Sequence, residues 1–94
     1  MAVVIVNEMQ GGSQDLYEQV TDRVMPGGQL PDGCHDHIAG PVEGGWRVIT
    51  VWESEDHFNR FRDDKLVPAI QEAGAGDRVA PQITTNPVHK HVTA

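Results

Sequence analysis

Cysteine is nearly absent from this 94-residue sequence, which contains only Cys34. A single cysteine cannot form an intrachain disulfide, so a small disulfide-stapled secreted scaffold is excluded and we expect a cytoplasmic protein. Basic residues are also few, with 7 Lys and Arg against 14 Asp and Glu, and the formal net charge is −7. This charge repels phosphate backbones and anionic membrane surfaces. We therefore expect neither a nucleic acid nor a membrane as partner.

Long hydrophobic runs are missing as well. The longest apolar stretch near the start, Ala2 to Val6, is too short to span a bilayer and lacks the charged start and cleavage site of a signal peptide. Its β-branched composition predicts a buried strand. The length of the chain predicts one domain covering residues 1–94, of a size at which pairing with a second copy adds useful burial.

Hydrophobic periodicity and turn residues predict the order strand, helix, strand, strand, helix, strand. The expected elements are a first strand over Val3 to Val6, a helix from Ser13 to about Met25, two strands over Gly33 to Ala39 and Trp46 to Glu53, a helix from Ser54, a short helical piece over Leu66 to Ala73, and an interrupted extended segment over Pro81 to Val92. The order is that of the ferredoxin-like α+β fold, with a four-stranded antiparallel sheet.

One face of such a sheet is covered by its helices and the other is bare. Alternation in the third strand places Trp46, Val48, Thr50 and Trp52 on one face and Ile49 and Val51 on the other. We expect the first set to lie on the bare face, where a second subunit would cover it.

A resemblance to a known family rests on Gly45 to Phe61, which reads GWRVITVWESEDHFNRF, together with a short amino-terminal strand and a final strand, VHKHV, over Val88 to Val92. The chain resembles the antibiotic biosynthesis monooxygenase superfamily, in particular its small actinobacterial members. The resemblance implies a dimeric α/β barrel, in which two ferredoxin-like subunits pack sheet against sheet and each keeps a pocket.

Members of this superfamily include cofactor-independent oxygenases, haem-degrading enzymes and isomerases, so the resemblance does not select one reaction. The oxygenases place an Asn four residues before the strand-three Trp and a Tyr six residues after it. Trp52 matches, but Val48 and Phe58 occupy those two positions. The haem-degrading branch uses a helical His, for which His57 is the only candidate.

Four of the five histidines form two pairs, His35-Asp36-His37 and His89-Lys90-His91. Within a strand each pair would lie on one face, about 7 Å apart, and a single metal ion can bridge such a pair. Three interpretations compete: general acid/base catalysis in a pocket, a transition-metal site, and hydrogen-bonded edge histidines without a chemical role. The spacing alone does not choose among them.

Two further residues near these histidines are open to interpretation. Cys34 adjoins His35, but adjacent strand residues face opposite sides of a sheet, so Cys34 is expected to be a small buried residue. Simple alternation would bury Asp36 on the face of Cys34 and Ile38. Either a bulge intervenes or Asp36 has a partner.

These observations favour a homodimeric, cofactor-independent enzyme that acts on a small apolar or aromatic metabolite by oxygenation, cyclisation or isomerisation. His37, His89 and His35 are the expected catalytic residues, and Trp52, Thr50, Val48 and His91 are expected to contact the substrate. The alternatives are a small-ligand binding protein without catalysis and a metal-dependent enzyme that uses the two His pairs. No organic cofactor and no metal is expected in the leading interpretation.

Overall fold

The structure of the protein is a computed structural model, in which residues 1–74, 76 and 80–94 are described. The strands are β1 (Val3–Gln10), β2 (Cys34–Val42), β3 (Gly45–Trp52) and β4 (Ala80–Pro87), and the helices are α1 (Gln14–Val24), α2 (Glu55–Phe61) and α3 (Val67–Glu72). Their order confirms the predicted sequence of strands and helices. No helix in the described ranges has the length and apolar composition needed to cross a membrane.

The four strands form one antiparallel sheet in the order β2-β3-β1-β4. The central strands pair Val3 with Trp52 and Gln10 with Gly45, so their full lengths are in register. Strands β2 and β4 are the two edges, and this is where Pro41, Pro81 and Pro87 are tolerated, because an edge strand can lack ladder donors. The ferredoxin-like α+β fold predicted from the sequence is confirmed.

Several strand boundaries differ from those predicted, and β1 continues to Gln10 rather than ending at Val6. The β2–β3 connection was expected to be a loop over Gly40 to Gly45, but β2 continues to Val42 and the turn contains only Glu43 and Gly44, with Gly44 at φ 76°. Glycine fits this left-handed position without a Cβ clash. The final strand predicted over 88–92 is wrong, since β4 ends at Pro87 and the two histidines that follow it are in coil.

The face of the sheet that carries the tryptophans is also corrected. Trp46, Val48 and Trp52 were expected on the bare face, yet they share the side of β3 that packs under the helices, where Trp52 is only 1% exposed. The bare side, called the open face below, carries smaller aliphatic residues: Val4, Val6, Ile38, Ile49 and Val51. Large aromatic rings therefore build the subunit's own core.

Helices α2 and α3 are joined by a π-helical turn over Arg62–Leu66. Within this turn the Val67 N–H donates to the Arg62 carbonyl, five residues back. Pro68 follows at once, and its ring would clash with the carbonyl four residues earlier in a regular α-helix. The wider turn removes that conflict, and π-helical turns occur frequently beside functional sites.

The amino ends of both long helical segments are capped by the serines from which these helices were expected to start. Ser13 Oγ accepts from the Leu16 N–H at 3.2 Å, and Ser54 Oγ accepts from the His57 N–H at 3.2 Å. Each hydroxyl satisfies a backbone donor that has no partner within the helix. The caps fix where α1 and α2 begin, and so which of their residues face the sheet.

The segment after β4 runs along one end of the sheet. The Val88 N–H donates to the Ala2 carbonyl at 3.0 Å, and His91 Nε2 lies 2.6 Å from Asp36 Oδ2. Since β4 and β2 are opposite edges, the segment passes from one edge of the sheet to the other in a few residues. It gives the Asp36 carboxylate a potential ion-pair partner.

Candidate active site

A cavity of about 70 Å³ lies between the sheet and the helices. Its wall is mainly apolar and includes Ile5, Met9, Leu16, Val20, Val24, Met25, Val48, Trp52, Phe58, Phe61, Leu66 and Ile70. A water molecule needs about 10–15 Å³ on this measure, whereas drug-sized ligands occupy pockets of about 300–1,000 Å³. The cavity in this conformation accommodates a few waters or part of a small ring.

Among the described residues that line the cavity, none is Asp, Glu, Lys or Arg. A buried ionic ligand would have no opposite charge to pair with, and leaving an ion unpaired in such surroundings is costly. The cavity therefore suits a neutral ligand. Its ionisable groups are Tyr17, Cys34 and His37.

Tyr17 and His37 form the closest polar contact in the cavity wall. Tyr17 extends from α1 and its Oη lies 2.6 Å from Nε2 of His37 on β2, with the two ring centroids 5.8 Å apart. Tyr17 also packs against Trp46, at a centroid separation of 5.4 Å. The contact joins the helix layer to the sheet and holds both polar groups at the cavity.

Burial acts on both members of this pair. Desolvation lowers the pKa of His37 below its usual 6.5, and desolvation together with the nearby Glu18 carboxylate raises the pKa of Tyr17 above 10.0. Both groups are thus neutral at physiological pH. A neutral imidazole has one acceptor nitrogen and one N–H.

Trp52, one of the residues expected to contact the substrate, forms the floor of the cavity. Its ring lies 5.7 Å from Phe58 and 5.2 Å from Phe61 between centroids, and its Nε1–H donates to Thr50 Oγ1 at 2.8 Å. Thr50 and Val48 also line the cavity. The structure thus places three of the four predicted substrate-contacting residues together, while their contact with a substrate stays a prediction.

Three other predicted site residues lie elsewhere. His35 is exposed, and its Nε2 is 2.7 Å from Glu53 Oε2. His89 is exposed in the coil after β4, and His91 contacts Asp36, as described above. None of these three is among the residues that line the cavity. His37 is therefore the one predicted catalytic histidine that the structure brings to the pocket.

The separation of His35 from His37 has a local cause. The register of β2 against β3 shifts between Cys34 and Asp36, so His35 occupies a bulge. Simple alternation, which predicted His35 and His37 on one face, is wrong here. Asp36 was expected either to follow a bulge or to have a partner, and both are found. The bulge places Asp36 opposite Val51 on the open face, and His91 is its partner.

The remaining candidates, Cys34 and His57, have contacts that indicate a structural role. Cys34 is 8% exposed and belongs to the core cluster with Val3, Ile5, Trp52 and Phe58, which confirms the expected buried position. Burial raises the pKa of its thiol to about 11, so it is not a thiolate nucleophile at neutral pH. His57 Nδ1 lies 2.7 Å from Ser54 Oγ, outside the cavity wall.

Within the described ranges, no group of three or more His, Cys, Asp and Glu residues could hold a metal ion.

Sequence reasoning missed two residues of the site. Tyr17 recurs with Leu16, Val20 and Val24 at helical spacing, a pattern that predicts only a buried stripe, although its hydroxyl is a signal that it could do more than pack. Asn7 directly follows the apolar run that predicts the first strand, yet it is 9% exposed, lines the cavity, and its Oδ1 has no hydrogen-bond partner among the described residues. A buried amide without a partner is rare, and one at a cavity marks a place where a ligand or water can bind.

Replacement of His37 should change how stability depends on pH. Because burial lowers the pKa of His37 in the folded state, the contribution of His37 to stability is fully present above about pH 6.5 and decreases at lower pH, where the unfolded chain takes up the proton first. We expect the difference in free energy of unfolding between wild type and His37→Gln to decrease from pH 7.5 to pH 5, as measured by urea denaturation. The control Gln19→Ala changes an exposed residue that does not titrate, and its difference from wild type should stay constant.

Known proteins resemble this chain in structure but not in sequence. No protein-family model matches it, and no curated protein matches it in sequence. Solved structures do: SnoaB, a cofactor-independent oxygenase from Streptomyces nogalater, matches with a TM-score of 0.68 at 17% identity over 99% of this chain and 98% of that one. Rv0793 from Mycobacterium tuberculosis matches with a TM-score of 0.64 at 14% identity over 98% and 100% of the two chains.

A candidate antibiotic biosynthesis monooxygenase from Deinococcus radiodurans is also similar, with a TM-score of 0.56 at 10% identity over 100% of this chain and 98% of that one. The resemblance predicted from the sequence is confirmed for the fold: the chain has the α+β fold of the antibiotic biosynthesis monooxygenase superfamily. Identities this low establish the fold and leave the reaction to be argued from the site.

Proposed function

We propose that this chain is a small cofactor-independent enzyme, a cytoplasmic homodimer, in which His37 takes part in proton transfer on a small neutral apolar or aromatic metabolite held against Trp52. The observation that carries the proposal is the single imidazole in a cavity wall without formal charges. A neutral imidazole beside a bound molecule can accept or return a proton near neutral pH. Oxygenation, cyclisation and isomerisation each need such a step.

The geometry supports this role in two further ways. Phe58 and Phe61 surround Trp52 with aromatic rings, which favours a planar or apolar ligand. Asn7 offers an unsatisfied amide oxygen in the same wall, which can orient one polar group of that ligand. Apolar packing with a few directional polar groups is the usual construction of a small-molecule site.

The proposed dimer rests on the open face. Val4, Val6, Ile49 and Val51 come from the two central strands, and Ile38 on β2 is 63% exposed. An aliphatic sheet face of this kind on a chain with net charge −7 is an expected place for a second copy to bind. Covering it would complete a two-subunit barrel, as in the resemblance described above.

A non-catalytic ligand-binding protein is the second candidate. It is favoured by Val48 and Phe58, which stand where the resembled oxygenases carry an Asn and a Tyr, and by the small size of the cavity. Apolar side chains at both positions remove two groups that would hydrogen-bond a quinol. A binding protein needs only the shape and polarity of the cavity.

The test is a turnover screen with small neutral monocyclic phenols, ketones and quinols in air, chosen to suit the small cavity, with products detected by mass spectrometry. For any compound converted, we expect His37→Gln to lower turnover by about 10²- to 10⁴-fold, the usual contribution of a general acid or base. His89→Gln, which changes an exposed histidine outside the cavity, should match the wild type. Saturable binding without product would favour the second candidate, and full activity of His37→Gln would remove His37 from the mechanism.

A further inference from the structure

We propose that Tyr17 is the residue that exchanges a proton directly with the bound molecule. His37 accepts a proton from Tyr17 in the same transfer and returns it when the transfer reverses. The inference rests on the proposed function, because it concerns the same cavity and the same proton transfer. It assigns a catalytic role to a tyrosine of α1 that the sequence pattern marked only as a core residue.

The contact with Tyr17 occupies one of the two ring nitrogens of His37. Its Nε2 is within 2.6 Å of the Tyr17 hydroxyl, too close for another group to insert. Tyr17 stays protonated and His37 stays neutral, because burial opposes a charge on either group. In the proposed arrangement the hydroxyl donates to Nε2, and the one hydrogen of the neutral ring is on Nδ1.

In this tautomer neither ring nitrogen offers a free lone pair to a ligand. Nε2 accepts from Tyr17, and Nδ1 carries the hydrogen. The Tyr17 oxygen, by contrast, donates one hydrogen and keeps two lone pairs, and Tyr17 lines the cavity beside Ser13, Leu16 and Val20. It is thus the atom of the pair able to accept a proton from a bound molecule.

The transfer balances without an additional reagent. The bond between the acidic hydrogen and the ligand breaks as that hydrogen bonds to the Tyr17 oxygen, and the original Tyr17 O–H bond breaks as its hydrogen bonds to His37 Nε2. The products are a ligand anion and an imidazolium ion, with Tyr17 again neutral. Reversal of the two steps returns the proton to the ligand, so the relay serves as either base or acid.

Other side chains fix the pair in place. Thr21 Oγ1 donates to the Tyr17 carbonyl at 2.9 Å, and the Tyr17 ring packs on Trp46. On the sheet side, the bulge at His35 sets which residues of β2 face the helices, and it turns His37 towards α1. Two independent elements thus hold the oxygen and the nitrogen at hydrogen-bond distance.

The first measurement is the tautomer of His37 in the wild-type protein, read from ¹⁵N chemical shifts and one-bond N–H couplings at pH 7.5. We expect hydrogen on Nδ1 and an unprotonated Nε2. Hydrogen on Nε2 would overturn the proposal, because Tyr17 would then be the acceptor and Nδ1 would be the free base. Tyr17→Phe removes only the hydroxyl, and a ¹⁵N spectrum of this variant checks that His37 keeps a folded environment.

The second measurement uses 4-nitrophenol as the probe, since its phenol and phenolate forms absorb at different wavelengths. The wild type should bind it with a larger ionised fraction than in free solution at the same pH. Tyr17→Phe and His37→Gln should each abolish that increase, and the double variant should show no further loss, since residues of one relay are not additive. An increase retained in Tyr17→Phe, or no ionisation on the wild type, would overturn the relay.

The two proposals fail in different ways. If His37 acts directly, Tyr17→Phe keeps the turnover found in the screen while His37→Gln loses it, and only the relay is wrong. If neither variant affects turnover, the proposed function itself is wrong. Gln19→Ala on the exposed side of α1 serves as the control for changes in the helix.

Discussion

Replacing Trp52 by Ala should lower the free energy of unfolding by about 3–5 kcal/mol, the range for removing a large aromatic side chain from a core. Trp52 is 1% exposed, contacts Phe58 and Phe61, and belongs to the central cluster of the subunit. The loss includes its contacts, the hydrogen bond to Thr50, and a void added to the existing cavity. Urea denaturation followed by circular dichroism measures it.

Two further variants test whether the large loss of unfolding free energy is specific to removal of the Trp52 ring. Trp52→Phe keeps a ring in the cluster but loses the indole N–H, so we expect a smaller loss of about 1–2 kcal/mol. Val67→Ala changes a residue that is 40% exposed on α3 and should lose less than about 1 kcal/mol. A loss for Trp52→Ala no larger than that for Val67→Ala would contradict the central place of Trp52 in the core.

The fold was predictable because its signals are local and repeated. The β-branched run of β1, the hydroxyl caps at Ser13 and Ser54, and the glycine-rich turn before β3 each specify an element, and their order leaves few topologies. The helical continuity through Arg62–Leu66 was not predictable in the same way. A proline at 68 indicates a helix start, and only packing shows that a wider turn carries the helix past it.

The candidate site was predictable only in part, because it depends on which face of a strand is covered. Alternation correctly grouped Val48, Thr50 and Trp52, but nothing in the sequence says which group lies under the helices. The bulge at His35 breaks alternation where two histidines were expected to act together. Tyr17 and His37 are 20 residues apart on different elements, and their contact exists only once the helix packs on the sheet.

These errors have a common physical origin. A period of two assigns residues to two faces, and a one-residue irregularity moves every later side chain to the other face. Asp36 illustrates this, since the bulge moves it from the core face, where it would be costly, to the open face near His91. The resulting open face carries Asp36 beside its aliphatic centre of Val6, Ile38 and Ile49, and a charge introduced at that centre is expected to have a large effect.

Substituting Ile49 by Glu should weaken the proposed homodimer by about 100-fold or more. Ile49 lies on central strand β3, between Val6 on β1 and Ile38 on β2, so a subunit covering the open face would bury it. Two-fold symmetry places one new carboxylate from each subunit in the interface, and burying these unpaired charges is costly. Each tenfold loss of affinity corresponds to roughly 1.4 kcal/mol of this cost. Analytical ultracentrifugation over a concentration series measures the change. Gln19→Glu adds the same charge on the exposed side of helix α1, in the layer opposite the open face, and should leave the affinity within a few-fold of wild type. A dimer of unchanged affinity in Ile49→Glu would show that the second copy binds on another surface, and a wild type that sediments as a monomer would refute the dimer itself.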